Sequence, residues 1–199
     1  MLLRKRPKTA TNFAERAALF SPEAMSRAWQ SVRHNGPTPG VDGVTLRRFA
    51  QRLDRNLEEL RGELEAGVYE PLPVKRILIP KKDGGLRPLA IWALRDRVAQ
   101  RVVHDALVPL LEPLFLECSY GFRPGRAVAD AVRAITAARD LGYRWVVDAD
   151  IEDCFGSLDY RRMMAQVRAH VHNDEPATGL DHFKGHHCRL SHTWTRRRS

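Results

Sequence analysis

Residues 143–152 read YRWVVDADIE, so that acidic and apolar side chains alternate along the second half of the run. In a β-strand, residues two apart share a face, and Asp148, Asp150 and Glu152 are therefore predicted to point the same way. The apolar residues between them would point into a core. The pattern predicts a strand over Tyr143–Asp150 that presents carboxylates on one face.

Carboxylates gathered on one face repel one another unless a cation compensates their charge. A hard divalent ion such as Mg²⁺ suits the set, because it takes oxygen ligands and keeps positions open for substrate phosphates. Two such ions can stabilise the attacking and the leaving oxygen of a phosphoryl transfer. The alternative is an acidic strand end exposed to solvent, and the spacing alone favours that simpler interpretation.

Upstream, two short β-like runs flank the basic, glycine-rich segment PKKDGG at residues 80–85. An Asp-Gly pair between two strands predicts a hairpin, because the tight turn needs positive φ. Lysines at the turn can contact phosphates as point charges, and Arg87 can offer a planar fork to phosphate oxygens. The alternative is a solvated edge hairpin whose lysines discourage aggregation.

A third motif, SYGFRPGR at residues 119–126, combines two glycines, two aromatic residues and two arginines. Glycines allow close backbone approach to a ligand, arginines contact phosphates and aromatic rings stack on bases. The motif also precedes a predicted helix, whose N-terminal N–H groups favour anions. The alternative is a structural loop whose aromatic residues pack on the core, and both interpretations stay open.

Composition limits the remaining possibilities. A chain of 199 residues with 43% hydrophobic and 29% charged residues is typical of about one globular domain. The formal net charge of +9 favours a polyanionic partner such as nucleic acid. No apolar run is long enough to span a membrane, and no secretory signal is expected. Three widely spaced cysteines argue against a disulfide scaffold and favour a cytoplasmic setting.

Periodicity and capping residues predict an α+β fold, with helices interleaved between few strands. Strands are predicted over Val74–Ile79, Arg87–Trp92 and Tyr143–Asp150. Helices are predicted over Pro22–His34, from the Thr45 cap to Gly67, over 94–112, over 127–140 and from Tyr160 to about Val171.

Five segments follow one another along the chain: PGVDGV (39–44), IPKKDGGLRPL (79–89), LRDRV (94–98), SYGFRPGR (119–126) and DADIEDCF (148–155). Taken in this order, they resemble the first half of a bacterial group II intron reverse transcriptase/maturase over about residues 20–165. Because five ordered motifs are far more specific than any single one, the resemblance favours the functional interpretation of each.

The resemblance implies a partial right-hand polymerase fold, with fingers and an incomplete palm. Residues 1–35 would be an N-terminal basic segment and helix, and 36–142 the fingers with part of the palm. Residues 143–172 would be the first palm strand and the following helix, and 173–199 a disordered, basic, histidine-rich tail.

The resemblance also implies site residues. Asp150 would be the catalytic carboxylate that binds Mg²⁺, with the Ile151 carbonyl as a further ligand. Phe155 would be the steric gate against a ribose 2′-OH. The basic positions implied to contact the incoming triphosphate or the template are Lys81, Arg87, Arg123 and Arg126.

The implied activity is RNA-directed DNA synthesis, in which deoxynucleoside triphosphates are added to a DNA primer on an RNA template. Intron RNA and a DNA target are further implied partners. The sequence holds no Tyr-x-Asp-Asp motif and no adjacent Asp-Asp pair, so a truncated or frame-shifted chain, inactive by itself, is expected. One alternative is a non-catalytic RNA-binding module, and another is a polypeptide that does not fold stably alone.

The last residues differ in composition from the rest. Residues 161–199 hold eight Lys or Arg, three Asp or Glu and six of the eight histidines, and the resemblance is expected to fail from about 165–173. The tail contains a possible zinc set, although it lacks the helical pattern that would bring such ligands together, and an accidental cluster is favoured. The set is His182, His186, His187, Cys188 and His192.

Overall fold

The computed structural model describes residues 16–80, 84–151 and 154–170. They divide into two compact units, one ending at Leu107 and the other beginning at Val108. Across these ranges the helices are α1 (Arg16–Leu19), α2 (Pro22–His34), α3 (Leu46–Ala50), α4 (Leu53–Ala66), α5 (Leu94–Leu111), α6 (Val128–Asp140), α7 (Cys154–Ser157) and α8 (Tyr160–His170), and the strands are β1 (Lys75–Pro80) and β2 (Leu86–Ile91).

Helix α2 begins and ends where the sequence predicts. The Ser21 hydroxyl accepts a hydrogen bond from the Ala24 amide at 3.3 Å, and Pro22 occupies the first helical position, where its missing N–H costs nothing. The helix ends at Asn35, whose backbone N–H donates to the carbonyl of Val32. Local capping residues therefore account for both ends of this helix.

The single helix predicted from Thr45 to Gly67 is two helices, so that prediction is wrong in one respect. The chain leaves helical geometry at Arg52 (φ −133°, ψ 41°), between α3 and α4. The side-chain amide of Asn56 donates to the Phe49 carbonyl at 2.9 Å, which satisfies an acceptor at the break. The apolar periodicity continues through the break and therefore does not reveal it.

The hydrophobic core of the first unit is formed by α2, α3, α4 and the first half of α5. The rings of Trp29 and Phe49 stack with centroids 4.8 Å apart. Leu94, Val98 and Ala99 of α5 are completely buried. Burial of the apolar stripe of α4 confirms the spacing of three and four residues in the sequence.

The predicted basic hairpin is confirmed. Strands β1 and β2 pair antiparallel, with Ile79 opposite Arg87 and Pro80 opposite Leu86. Gly84, in the connecting segment, has φ +84°, the left-handed geometry that an Asp-Gly turn requires. Most side chains of both strands are exposed or half-buried, so the hairpin presents two open faces.

The strand predicted over Tyr143–Asp150 is not formed in the described structure. These residues belong to no helix or paired strand, and Trp145 and Val147 are 96% and 92% exposed. A β-strand is defined by backbone hydrogen bonds to a neighbour, and among the described residues β1 and β2 pair only with each other. Alternation in sequence shows that the segment suits a strand but does not supply a partner.

In the second unit, helices α6 and α8 lie close to their predicted ranges. The Asp130 carboxylate accepts a hydrogen bond from the Ala127 backbone amide at 2.6 Å, which caps the start of α6. None of the residues of α6 is buried.

The observed helices and the small antiparallel sheet are compatible with the α+β class. In the part of the chain that the structure describes, no helix has the length and apolar character needed to cross a membrane.

A buried carboxylate joins the first turn of α5 to the segment that follows α4. Asp96 is completely buried, and the Tyr69 hydroxyl donates to its Oδ1 at 2.6 Å while the Leu72 amide donates to its Oδ2 at 3.1 Å. Arg95 stacks over the Tyr69 ring and pairs with Glu63 of α4. Burial raises the pKa of Asp96, and the hydrogen bonds from Tyr69 and Leu72 oppose that rise.

This raised pKa makes a prediction about pH. A carboxyl group whose pKa is higher in the folded protein than in the unfolded chain stabilises the folded state fully at pH values below the unfolded pKa, which is about 4 for Asp. This stabilisation is lost as the pH rises through the pKa of the folded state. We therefore expect the stability advantage of the wild type over Asp96→Asn to shrink as pH rises from about 4. Urea unfolding of both proteins across this pH range measures the difference. An advantage that grows with pH would show that burial does not dominate at Asp96.

Candidate functional site

The loop Ser119–Arg126 is held by an arginine that faces inward. The Arg123 side chain is 7% exposed, and its Nη2 lies 2.7 Å from Glu112 Oε1. Its Nη1 donates to the carbonyls of Leu116 and Ser119, each at 2.8 Å. In this structure Arg123 supports the loop through these internal contacts. Its contact with substrate stays a prediction.

Arg126 lies at the end of the same loop and is partly accessible. Its guanidinium lies 5.3 Å from the centroid of the Tyr120 ring, and it donates to the Glu117 carbonyl at 2.6 Å and carboxylate at 2.5 Å. The pairing with an exposed Glu117 is weak in water and can be exchanged for a phosphate. Arg126 therefore fits a ligand-binding role better than Arg123 does.

Phe122, at the tip of the loop, is one of the two aromatic residues that the sequence associates with stacking on bases, although the resemblance implies no role for it. It has φ 57°, and its side chain is fully exposed. The sequence signals an aromatic residue in a glycine-rich loop but does not reveal this backbone conformation.

Asp150 lies in the second unit, in the segment without regular structure. Its carboxylate is exposed, and Oδ1 accepts a hydrogen bond from the Ile151 amide at 2.9 Å. Asp148 is exposed as well. Within the described ranges no three His, Cys, Asp or Glu side chains come together as a metal cage.

The chemistry of these donors nevertheless fits part of a magnesium site. Mg²⁺ is commonly held by one or two carboxylates together with waters and substrate phosphates, rather than by a full protein cage. The exposed Asp150 can supply one such ligand. The predicted Glu152 lies outside the described residues, as do the side chain of Phe155 and all five residues of the possible zinc set in the tail.

The hairpin of the first unit carries the remaining predicted cations. Arg87 is exposed on β2, and Lys75 and Arg76 are exposed on β1. Lys81 lies outside the described residues. The hairpin thus presents basic side chains to solvent.

A further arginine holds the segment that leads into the PGVDGV motif, a role that was not predicted from the sequence. Arg97, in the first turns of α5, donates to the carbonyls of Gly36 and Thr38 in this segment and to that of Trp92 before the helix. Its place in the LRDRV motif marked it as part of a resemblance, but gave no role. In the structure it fixes this segment against the start of α5.

Comparison with known proteins identifies the family. Residues 79–195 match the reverse transcriptase (RNA-dependent DNA polymerase) family. The chain is 44% identical over 138 residues to the Escherichia coli protein YkfC, an alignment that covers 67% of this chain and 36% of that protein. It is 31% identical over 157 residues to the group II intron-encoded protein LtrA of Lactococcus lactis, an alignment that covers 77% of this chain and 25% of LtrA.

The chain belongs to the reverse transcriptase family. Within it, the chain falls among the group II intron reverse transcriptases and maturases, as the resemblance predicts. It spans about a third or less of the length of these relatives. The family match continues to residue 195, so the expectation that the resemblance fails from about 165–173 is wrong.

Proposed function

We propose that the chain carries part of an RNA-directed DNA polymerase of the group II intron type, and contacts the RNA template, the DNA primer and the incoming deoxynucleotide. The family match over residues 79–195 carries the proposal, because it includes the basic loop and Asp150. In this proposal residues 36–142 are the fingers with part of the palm. Residues 143–150 supply the first palm strand when a partner strand pairs with them.

The roles follow from charge and exposure. Arg87, exposed on the hairpin, and the sequence-predicted Lys81 hold the triphosphate, and Arg126 contacts the nucleic-acid backbone. Phe155 excludes a ribose 2′-OH. The family generally uses divalent metal ions such as Mg²⁺, and a bound ion would stabilise charge on the transferring phosphoryl group. Asp150, with the carbonyl of Ile151, would hold that ion.

The 199-residue polypeptide, assayed by itself, is proposed to be inactive. A polymerase palm uses a second set of carboxylates, and this sequence contains neither Tyr-x-Asp-Asp nor any adjacent Asp-Asp pair. One carboxylate segment binds two divalent ions poorly, because their charge is left largely uncompensated.

Primer extension on poly(rA)/oligo(dT) with Mg²⁺ tests this proposal. We expect the wild type to make no more product than Asp150→Ala, because Asp150 is not part of a complete metal site in this polypeptide. Glu70→Ala, an exposed carboxylate in the other unit, serves as the matched control. Robust synthesis that Asp150→Ala abolishes and Glu70→Ala retains would overturn the inactivity while supporting the polymerase assignment.

A second candidate is a non-catalytic RNA-binding module derived from the same family. The exposed basic hairpin and the net charge of +9 favour it, since neither depends on a complete palm. RNA binding without synthesis is the expected behaviour of this candidate. Binding by the wild type together with Asp150-dependent synthesis would exclude it.

A further inference from the structure

Phe122 combines two unfavourable features at one position. Among the described residues it is the non-glycine residue with positive φ, at 57°, a region that a side chain with a Cβ disfavours. The residue is also fully exposed, so packing within the described part of the chain does not compensate for the backbone strain. Backbone strain of this kind clusters at ligand-binding and active sites, so Phe122 is a candidate ligand contact.

The surrounding loop imposes this conformation. The residue after Phe122 is the inward-facing Arg123, which pairs with Glu112 and donates hydrogen bonds to two backbone carbonyls. Gly125 follows with φ +69°, and the Arg126 amide donates to the Arg123 carbonyl at 3.3 Å, closing a turn behind the aromatic ring. Phe122 is therefore presented by a fixed scaffold.

The residues at the tip of the loop favour a ligand that has a flat, apolar face and carries phosphates. Gly121 has open space around the position of a Cβ, so a planar group can approach beside the ring. Arg126 lies on the Tyr120 ring at the end of the same loop and can exchange its exposed carboxylate partner for a phosphate. Nucleobases have such faces, and aromatic side chains stack on them without regard to sequence.

We propose that Phe122 stacks on an unpaired nucleobase of the bound nucleic-acid strand. The inference rests on the proposed function, because it requires that the chain bind nucleic acid. It assigns a contact made by base stacking, separate from the contacts that basic residues make with phosphates.

The test compares Phe122→Ala with Phe122→Trp in binding to a fluorescein-labelled single-stranded RNA 12-mer, measured by anisotropy. Loss of one stacked base is expected to weaken binding about tenfold in Phe122→Ala, and Trp is expected to retain it. The salt dependence of binding should stay unchanged in both variants, because no phosphate contact is lost. The wild type should bind an abasic 12-mer more weakly than the normal 12-mer, whereas Phe122→Ala should bind both with the same affinity.

Thermal unfolding separates binding from packing. An exposed ring contributes little to folding, so the Tm of Phe122→Ala should equal that of the wild type, and Phe122→Gly should match or exceed it because the strain is relieved. Equal RNA affinity of wild type and Phe122→Ala, or a lower Tm of Phe122→Ala, would overturn stacking while leaving the proposed function intact. A wild type that binds no RNA would overturn both.

Discussion

Gly40→Ala is expected to lower the free energy of unfolding by about 3 kcal/mol, the upper end of the usual cost of an added methyl group, because the new methyl group has no space. A Cβ at residue 40 would lie 2.5 Å from the Cα of Ala93 and 2.6 Å from its amide nitrogen. Both atoms belong to the backbone of Ala93, which directly precedes α5, so no side-chain rotation relieves the overlap. The backbone around Gly40 must instead move, although Arg97 holds the adjoining segment through the Gly36 and Thr38 carbonyls.

The same substitution at Gly62 provides a matched control. Gly62 lies within α4, is exposed and has nothing within 4 Å of a Cβ position. Alanine is the better helix former, so Gly62→Ala is expected to raise the free energy of unfolding by about 1 kcal/mol. Urea denaturation of the three proteins gives both values. Equal effects at the two positions would contradict the docking of the loop on α5.

Much of the first unit follows from local sequence. Ser21 and Pro22 fix the start of α2, and the apolar stripe of α4 identifies its buried face. The break before α4 could not be predicted, because it depends on the Asn56 side chain reaching a carbonyl seven residues earlier. The contact of Gly40 with Ala93 joins residues far apart in the chain and likewise leaves no local signal.

The candidate site was predicted by residue type but not by orientation. The glycine-rich loop was expected to carry ligand-binding arginines, yet Arg123 faces inward while Phe122 faces solvent. The sequence does not distinguish the two arginines of the motif, whereas in the structure Arg123 pairs with Glu112 and Arg126 with Glu117. The predicted strand at 143–150 failed for a related reason, since pairing depends on a partner outside the segment.

A strong salt dependence of nucleic-acid binding is the second large effect expected. About five phosphate contacts to the strand would weaken affinity about 100-fold between roughly 50 and 200 mM salt, since each contact releases condensed counterions. The exposed hairpin supplies Arg76 and Arg87 for such contacts. Reversing both charges, in Arg76→Glu/Arg87→Glu, is expected to weaken binding about tenfold or more at low salt.

The matched control reverses two exposed arginines outside the predicted sites. Arg55 and Arg139 have side chains that are 70% and 63% exposed, and each already pairs with a neighbouring carboxylate. The control variant Arg55→Glu/Arg139→Glu changes the net charge by the same amount. A similar loss of affinity in both variants would mean that net charge, and not the hairpin, determines binding.

The most direct measurement of the central claim is the affinity of the wild-type chain for an RNA template annealed to a DNA primer, followed by anisotropy across a salt series. The proposed function predicts binding at low salt that falls steeply as salt rises and that depends on the hairpin cations. No binding at low salt, or binding that is insensitive to salt, would contradict the assignment of this chain as a nucleic-acid-binding part of a reverse transcriptase.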